Sequence, residues 1–543
     1  MKHTIKPSRK APNLSARTKL LAAGSAVVIA AVSSALVAQT AGERVYSGGY
    51  ATSGIPVTDD AYGAESQTGP IAPVAYGSPT ATPGAQQRSG PVQRGRWTTE
   101  VTPFVEGSVS YSDNINLDPE GFEQDETTLT ATAGVNVSIQ SERLSGQLSY
   151  SASYDTFLNN TNEDGLRHGL NTGWSAAIVP NLVYLDVGAG VSEVYIDSDD
   201  RFSGNPTANS DNRSRAYYGL VSPSIRKNIG GWANAELRYT GRGEAYDNDI
   251  DGGFSHTGRA SLTSDPRKFR RFGWAAVTEY ERYNPESDDL DLDRWTSYVS
   301  VDVPVSRTVA LTGNAGYDHF SENVSDDFAG AYGNVGVRYQ PTERLSSQAF
   351  VGYRYGGMDF GGSLSYAAQR NLAVNLAARR GLQFSNYDND EALQTALNGN
   401  DGGIQSNLNP TFAIQDTDAI VDTLQASVAG SVGKTGWTAG VTAVHRDFGN
   451  VFDDETVLSA NLGVTRELTN RLSAELGAGY SQFTQDGSDI DNFSTLALGA
   501  GLNFQLTEIV NVFGRYTYTE RFADDSLEEF KENAGVVGVT ASF

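Results

Sequence analysis

From residue 97 onward, the chain is a succession of short segments in which apolar and polar residues alternate. In the segment Leu472–Tyr480, the even positions carry Leu, Ala, Leu, Ala and Tyr, whereas the odd positions carry Ser, Glu and Gly. The segments Trp295–Val305 and Leu144–Tyr154 follow the same period of two. That period is typical of β-strands, because successive side chains point to opposite faces of a sheet. No helical period lasts for three turns in this region, so the pattern predicts an all-β fold.

The breaks between these segments alternate between short turns and long loops. The short breaks are residues 141–143, 179–181, 306–307, 341–344, 433–435 and 469–470. The long breaks are residues 112–125, 197–212, 245–253, 285–292, 387–418, 484–491 and 522–530. Basic residues such as Arg143 and Arg307 accompany the short turns, and acidic residues such as Asp249 and Asp489 fill the long loops. This is the plan of an outer-membrane barrel with short periplasmic turns and long acidic extracellular loops.

The segments predict a transmembrane antiparallel up-and-down β-barrel of about 22 strands, within a range of about 18–22. The strands begin near Trp97 and end at Phe543, and an even number leaves both ends on the short-turn side. A propeller and a solenoid are the soluble alternatives. A propeller requires a repeat of about 40–50 residues, which the sequence lacks, and neither alternative explains the alternation of loop length.

The last strand predicts a lipid-facing surface and an assembly signal. Val537, Val539, Ala541 and Phe543 fall on one face, and the chain stops on the aromatic residue. An apolar face with an aromatic residue at its end suits the closing strand of an outer-membrane barrel. Val537, Val539 and Phe543 resemble the C-terminal signal that the barrel-assembly machinery recognises. An ordinary terminal strand is the alternative.

The first part of the chain predicts an exported protein. Residues 1–19 contain six basic residues and no acidic one, and residues 20–38 are apolar or small. Residues 1–38 therefore resemble a signal peptide. A single transmembrane anchor is the alternative, which Ala, Ser and Gly in the apolar run disfavour. Residues 39–96 are rich in Pro, Gly and Ser and predict a disordered periplasmic segment, followed by the barrel at residues 97–543.

Charge and composition exclude several classes of function. The formal net charge is −25, and removal of the six basic residues of the signal peptide makes it −31. So acidic a chain is a poor nucleic-acid binder. The chain has no Cys and only 5 His, no two of them close in sequence, so neither a cofactor, a metal site nor a catalytic triad is expected. The Asp-rich loops lack EF-hand spacing and are interpreted as solvated loops that share divalent cations with lipopolysaccharide phosphates.

Three short motifs carry a resemblance to a known family. Tyr111-Ser112-Asp113-Asn114 precedes the first long loop, Tyr317-Asp318-His319-Phe320 and Arg370-Asn371-Leu372 lie where strands meet breaks, and the final strand is as described above. Together they resemble a family of outer-membrane β-barrel porins often found beside exopolysaccharide synthesis and export genes. The resemblance spans about residues 97–543 and implies a location and an architecture, with no catalytic residues.

The alternation places a set of charged residues on the inner face of the barrel. These lumen candidates are Glu106, Asp186, Glu236, Arg238, Arg242, Glu279, Glu281, Asp302, Arg354, Arg379, Glu475 and Arg515. They either pair across neighbouring strands and stiffen the wall, or provide an electrostatic path for a hydrated solute. Tyr184, Tyr298 and Phe350 also fall inward, and aromatic rings beside charges suit sugar rings. Arg380 breaks the alternation of its strand.

Two functions from different classes follow. The first is a passive outer-membrane channel whose task is export of an exopolysaccharide, with polysaccharide and periplasmic export components as partners. The second is a structural or adhesive barrel whose acidic loops bind partners or divalent cations; an outer-membrane hydrolase is a distant third. Because about 22 strands enclose a wide hole, we expect residues 387–418, rather than residues 39–96, to narrow it.

Overall fold

In the described residues of the computed structural model, 22 antiparallel strands form one closed β-barrel. The predicted fold class is thus confirmed, at the upper end of the predicted strand number. The structure describes residues 97–159, 164–195, 201–205, 207–208, 212–247, 252–265, 267–269, 271–285, 292–322, 328–369, 371–383, 419–447, 454–485 and 492–543. No helix long and apolar enough to cross a membrane occurs among these residues.

The strands follow one another around the barrel in chain order. They are β1 Thr98–Ser112, β2 Glu126–Gln140, β3 Leu144–Phe157, β4 Gly165–Val179, β5 Val183–Tyr195, β6 Arg213–Ile229, β7 Ala233–Tyr246, β8 Gly253–Ser264, β9 Gly273–Pro285, β10 Leu292–Pro304, β11 Val309–Glu322, β12 Phe328–Thr342, β13 Leu345–Arg354, β14 Gly357–Gln369, β15 Leu372–Gln383, β16 Ala419–Val432, β17 Thr435–Asp447, β18 Glu455–Glu467, β19 Leu472–Gln485, β20 Phe493–Gln505, β21 Val510–Ala523 and β22 Phe530–Ser542.

Each strand pairs with its neighbours in sequence, and the first strand pairs with the last. The β1–β22 joint runs from Phe104 opposite Ser542 to Ser112 opposite Ala534. Closure in this way removes both sheet edges, so every strand can satisfy its backbone hydrogen bonds within the wall, as the hydrocarbon core of a bilayer requires.

The two faces of the wall differ because side chains alternate along every strand. On β1, the outer residues Val101, Val105 and Val109 are each about half exposed, whereas Phe104 on the opposite face is buried. An extended belt of exposed aliphatic residues is unfavourable in water and suits contact with lipid. The strands have 10 to 17 residues, enough for the roughly 9–11 that a tilted strand needs to cross the bilayer core.

Two joints depart from the predicted alternation of short turns and long loops. The β8–β9 connection, residues 265–272, is long although it lies on the short-turn side. The β13–β14 connection on the opposite side consists of Tyr355 and Gly356 alone, with φ angles of 52° and 71°. Positive φ at both positions matches the right-handed twist of the flanking strands in a two-residue hairpin, and glycine tolerates it readily.

Buried apolar residues form two small clusters against the inside of this wall. Val277, Tyr298 and Tyr332 form one cluster on β9, β10 and β12. The other contains Leu117, Ala208 and Phe530, which come from two connecting loops and the start of β22. At these two places, apolar side chains pack together on the inner side of the wall.

Candidate functional site: the inner wall of the barrel

The inner faces of β5–β7 carry paired charges, here called the paired-charge sector (Tyr184, Asp186, Arg226, Glu236 and Arg238). Arg238 Nη1 lies 2.8 Å from Asp186 Oδ2, and Arg238 Nε lies 2.9 Å from Glu236 Oε1. Arg226 Nε lies 3.0 Å from Glu236 Oε2, and its guanidinium lies 4.9 Å from the centroid of the Tyr184 ring. Arg226 and Glu236 lie directly opposite each other on adjoining strands, where opposite charges stabilise a sheet, and the four charges cancel much of each other's field.

Most of the other predicted lumen charges also have partners on nearby strands. The nitrogen–oxygen distances are 3.9 Å for Arg259–Glu279, 3.9 Å for Arg294–Glu281, 2.7 Å for Arg338–Asp302, 2.7 Å for Arg354–Asp318 and 3.5 Å for Arg515–Glu475. Glu106 accepts a hydrogen bond from Thr540 Oγ1 at 2.7 Å across the closing joint. Arg242 and Arg379 lie on the inner faces of β7 and β15. Most of the predicted residues thus form pairs, which are distributed around the wall and do not converge on one point.

Arg380, which breaks the alternation of β15, lies on the outer face of the barrel. Its Nη1 atom is 3.7 Å from Oδ2 of Asp422, the residue directly opposite on β16. Arg380 and Asp422 lie near the long-loop ends of their strands, where a charge can reach the headgroup region. An ion pair at the membrane interface therefore accounts for the exception.

The inner faces of β10–β13 differ in character and are here called the aromatic–amide sector (Tyr298, Asn314, Tyr332, Asn334 and Phe350). Tyr298 and Tyr332 are buried, with Phe350 packed against them. Asn314 and Asn334 stand directly opposite each other and are 6% and 8% exposed. Both side-chain polar atoms of Asn314, and Nδ2 of Asn334, form no hydrogen bond within the described part of the chain.

Glycines on neighbouring strands make room for the rings of this sector. A Cβ atom on Gly316 would lie 2.5 Å from Tyr332 Cζ, and one on Gly361 would lie 2.5 Å from Phe350 Cζ. No side chain fits at those distances, so the rings lie flat over the glycine backbones. The sequence therefore favours large rings here at the expense of neighbouring side chains.

A buried ion pair adjoins the aromatic–amide sector. Arg354 Nε lies 2.7 Å from Asp318 Oδ2, and the two side chains are only 6% and 1% exposed. Thr296 Oγ1 donates to the other Asp318 oxygen at 2.9 Å, and the guanidinium lies 4.3 Å from the centroid of the Tyr332 ring. The pair fixes Tyr332 through a cation–π contact, and each charge depends on its partner because neither reaches bulk water.

The Tyr111-Ser112-Asp113-Asn114 motif fastens the closing joint at the long-loop end. The Asp113 carboxylate accepts hydrogen bonds from the backbone N–H of Asn533 at 2.7 Å and from its Nδ2 at 2.8 Å. Asn114 Nδ2 donates to the backbone oxygen of Lys531 at 3.0 Å. Ser112 Oγ donates to Glu532 Oε1 at 2.7 Å. Three consecutive side chains of the motif thus bind three consecutive residues of the last strand.

The candidate assembly signal lies at the opposite end of the same joint. Val537 and Val539 are 63% and 46% exposed on the outer face, and Phe543 is 65% exposed. The Phe543 N–H donates to the backbone oxygen of Pro103 at 2.9 Å. Recognition of these residues by an assembly machinery stays a prediction.

The described histidines lie outside the lumen. His168, His256, His319 and His445 all occupy the outer face near the long-loop ends of their strands. Among the residues that the structure describes, no group of three or more His, Asp or Glu side chains is arranged to hold a metal ion.

Sequence reasoning missed the loop residues that enter the mouth of the barrel. Residues 387–418 and 39–96, the segments expected to narrow the lumen, lie outside the described residues. Ile115, Leu117 and Phe202, from the β1–β2 and β5–β6 connections, are at most 4% exposed. Large apolar residues within otherwise polar loops were the available signal, because such residues need an apolar partner.

One family model matches the C-terminal part of the chain. The family described as "Putative beta-barrel porin 2" matches residues 456–543, which hold nearly all of β18 and the four strands after it. No curated protein matches the chain. The family description names a porin and makes no reference to exopolysaccharide.

Several solved structures are similar to this chain at low identity and with TM-scores below 0.5. A variant of the ferric enterobactin receptor PfeA from Pseudomonas aeruginosa is 12% identical, with a TM-score of 0.45, over 81% of this chain and 80% of that chain. The siderophore receptor PirA from Acinetobacter baumannii is 10% identical, with a TM-score of 0.46, over 82% and 81%. The ferric-catecholate import receptor Fiu from E. coli K12 is 11% identical, with a TM-score of 0.47, over 81% of each chain. The family match and the apolar outer belt indicate a porin-like β-barrel of the outer membrane.

Proposed function

We propose that this protein is a passive outer-membrane channel for hydrated solutes. The observation that carries the proposal is the opposite character of the two faces of one closed wall. The inner face presents paired charges, as in the paired-charge sector, whereas the outer face presents aliphatic residues such as Val101 and Val105. A polar lumen inside an apolar belt is the arrangement that admits water and water-soluble molecules across a membrane.

The solute class that the inner wall favours is a neutral or weakly charged saccharide. The arginines and carboxylates of the ion pairs described above offset each other, so these parts of the wall should not select strongly for an ion of one sign. The aromatic–amide sector adds rings and amide groups, the combination that suits sugar rings and hydroxyls. Export of an exopolysaccharide is the task we propose, on the basis of the resemblance carried by residues 111–114 and 317–320.

The test is solute passage through the purified protein. The full chain, folded into planar bilayers, should give stable single-channel steps. In liposome-swelling assays it should pass a neutral disaccharide faster than a disaccharide carrying several sulfate groups. A barrel that folds, as judged by heat-modifiable migration, but gives neither steps nor swelling would overturn the channel function.

The second candidate is a structural or adhesive barrel. Ile115 and Leu117, buried at the extracellular mouth, favour it because loops packed into a mouth also suit a closed barrel. This function predicts no conductance, together with binding of the intact protein to a surface or to divalent cations. The bilayer experiment therefore separates the two functions directly.

A further inference from the structure

We infer that the described part of the β5–β6 connection is a built-in constriction, fastened across the extracellular mouth by Glu532 of the last strand. The inference rests on the proposed channel function, because a constriction matters only to a channel. Its described part is residues 201–205 and 207–208, here called the crossing segment.

The crossing segment spans a considerable distance along the wall. It belongs to the connection between β5 and β6, yet Asn205 within it is bonded to Glu532 of β22. The path along the wall from β22 to β5 passes through β1, β2, β3 and β4. In a barrel of 22 strands this corresponds to about a quarter of the circumference, so the segment cuts across the mouth as a chord.

Glu532 is the point of attachment, and it faces inward. It shares a face of β22 with Thr540, which binds the inner residue Glu106. Glu532 is 1% exposed. Its carboxylate accepts a hydrogen bond from Asn205 Nδ2 at 2.8 Å and another from Ser203 Oγ.

Two further contacts hold the crossing segment down at other points. Arg201 donates from Nη1 to the backbone oxygen of Leu117 at 3.1 Å and from Nη2 to that of Leu527 at 2.8 Å. Ala208 packs against Leu117 and Phe530 in the apolar cluster at the mouth. The segment is therefore held both by hydrogen bonds and by apolar packing. A buried carboxylate needs hydrogen-bond donors, and a buried apolar side chain needs apolar neighbours.

Ser203 and Asn205 are therefore the residues that set the size limit of the pore. Both donate to the Glu532 carboxylate, which also accepts a hydrogen bond from Ser112 of the closing joint. Ser112 belongs to the wall, whereas Ser203 and Asn205 belong to the loop. Their removal should loosen the crossing segment, which Arg201 and Ala208 still hold, and leave all strand pairings intact.

The first experiment measures release of the segment without reference to transport. The chain has no cysteine, so an Ala208→Cys variant carries a single thiol at a position that is 7% exposed. A charged, membrane-impermeant maleimide should modify it slowly. Adding Ser203→Ala and Asn205→Ala should accelerate modification roughly tenfold or more, because two hydrogen bonds to a buried carboxylate then no longer oppose opening.

The matched control is Asn159→Ala in the β3–β4 connection. Asn159 Nδ2 donates to the backbone oxygen of Asp125 at 3.1 Å and to its carboxylate at 3.3 Å, so these bonds reach only the adjacent loop. In the Ala208→Cys background, this substitution should leave the rate of thiol modification unchanged. It removes an amide but leaves the bonds of the crossing segment to Glu532 in place. An equal rate with and without Ser203 and Asn205 would overturn the fastening.

The second experiment measures the pore. The Ser203→Ala, Asn205→Ala double variant should show a single-channel conductance roughly 1.5-fold larger and admit larger oligosaccharides, because the chord encloses part of the mouth. Faster thiol modification with unchanged conductance would show that the segment is fastened but does not constrict the channel, and would overturn the proposal. Absence of conductance in the unaltered protein would instead refute the channel function, while the modification rates still report on the fastening.

Discussion

The paired-charge sector and the aromatic–amide sector both lie on the inner face of the wall. Their polar side chains differ in how exposed they are and in whether they have hydrogen-bond partners. In the first, Arg238 and Asp186 are 22% and 32% exposed and bind each other directly. In the second, Asn314 and Asn334 are almost fully buried and have side-chain atoms that lack hydrogen bonds within the described residues. The rings of Tyr298 and Tyr332 lie in the adjoining row of inner-face residues and share this buried environment.

We propose that the difference separates a part of the wall that supports stability from a part that contacts solute. Each ion pair that remains accessible to water contributes little to the free energy of unfolding, because its charges stay hydrated. Such pairs nevertheless give the wall a neutral polar surface. Buried amides without partners cost about 1–3 kcal/mol each, and such groups call for a functional explanation. On this proposal, the aromatic–amide sector contacts solute and the paired-charge sector gives structural support.

Breaking the buried ion pair beside the aromatic–amide sector should have the largest effect. Arg354→Met leaves Asp318 buried without its counter-charge, so we expect the free energy of unfolding to fall by about 3–5 kcal/mol. Urea titration of the protein folded in detergent micelles, followed by tryptophan fluorescence, measures this change. The matched variant is Arg238→Met in the paired-charge sector, for which the loss should be about 1 kcal/mol or less. Equal losses at the two sites would contradict the distinction between the sectors.

Asn314→Leu should change stability and solute binding in opposite directions, and it therefore tests the role of the aromatic–amide sector. Replacing a buried amide without partners by an apolar side chain of similar size removes a desolvation cost, so stability should rise by about 1 kcal/mol. The same variant should weaken block of the channel current by a neutral linear hexasaccharide. Loss of stability, or unaltered block, would show that the amide has a structural role instead. Asn136→Leu on the inner face of β2 is the control for hydrophobic substitution in the lumen.

Arg238→Gln should have a smaller effect, on ion selectivity alone. It removes the cation that lies between Asp186 and Glu236, so the local wall becomes negative and should favour cations. The reversal potential under a salt gradient should shift toward that of cations by a few millivolts. The shift should shrink at high salt because mobile ions screen exposed charges. An unchanged reversal potential would exclude this sector from the conducting path.

The smallest expected effect is at the short-turn side, where the β8–β9 connection lies beside both sectors. Asp265 accepts hydrogen bonds from Arg267, at Nε and at the backbone N–H, and from Asn228 Nδ2. These bonds, those from the Arg267 side chain above all, hold the pKa of Asp265 below its ordinary value. The contribution to stability is therefore complete above about pH 4, and it is lost as the pH falls through the lowered pKa. Urea titrations between about pH 5 and pH 2 should show a weaker pH dependence for Asp265→Asn than for the unaltered chain.

The fold followed from the sequence because its determinants are local. A period of two fixes strand and face, and short breaks such as residues 141–143 mark the turns, so the strand number was predicted within its range. The two-residue Tyr355–Gly356 connection departs from the alternation of short turns and long loops. Its length follows from the geometry of the hairpin turn alone. The partner of Arg380 became evident only with the register that places it opposite Asp422.

The crossing segment could not be predicted, since it depends on contacts between distant parts of the chain. Ser203 and Glu532 are 329 positions apart. Periodicity shows which way a side chain points on its own strand, but not which loop lies above it. The same holds for the amide atoms of Asn314 and for Asn334 Nδ2, because their lack of hydrogen bonds among the described residues is a property of the whole neighbourhood.

The joint between β1 and β22 has a consequence for the order in which this molecule is made. Asp113 and Asn533 meet across 420 positions, so their bonds cannot exist until almost the whole chain has been synthesised. Until then, the first strand and whichever strand is currently last each present a row of unpaired amide and carbonyl groups. Such rows pair readily with any other strand and are unfavourable in hydrocarbon. A nascent chain of this kind must therefore be held with both ends covered, and its release must coincide with closure.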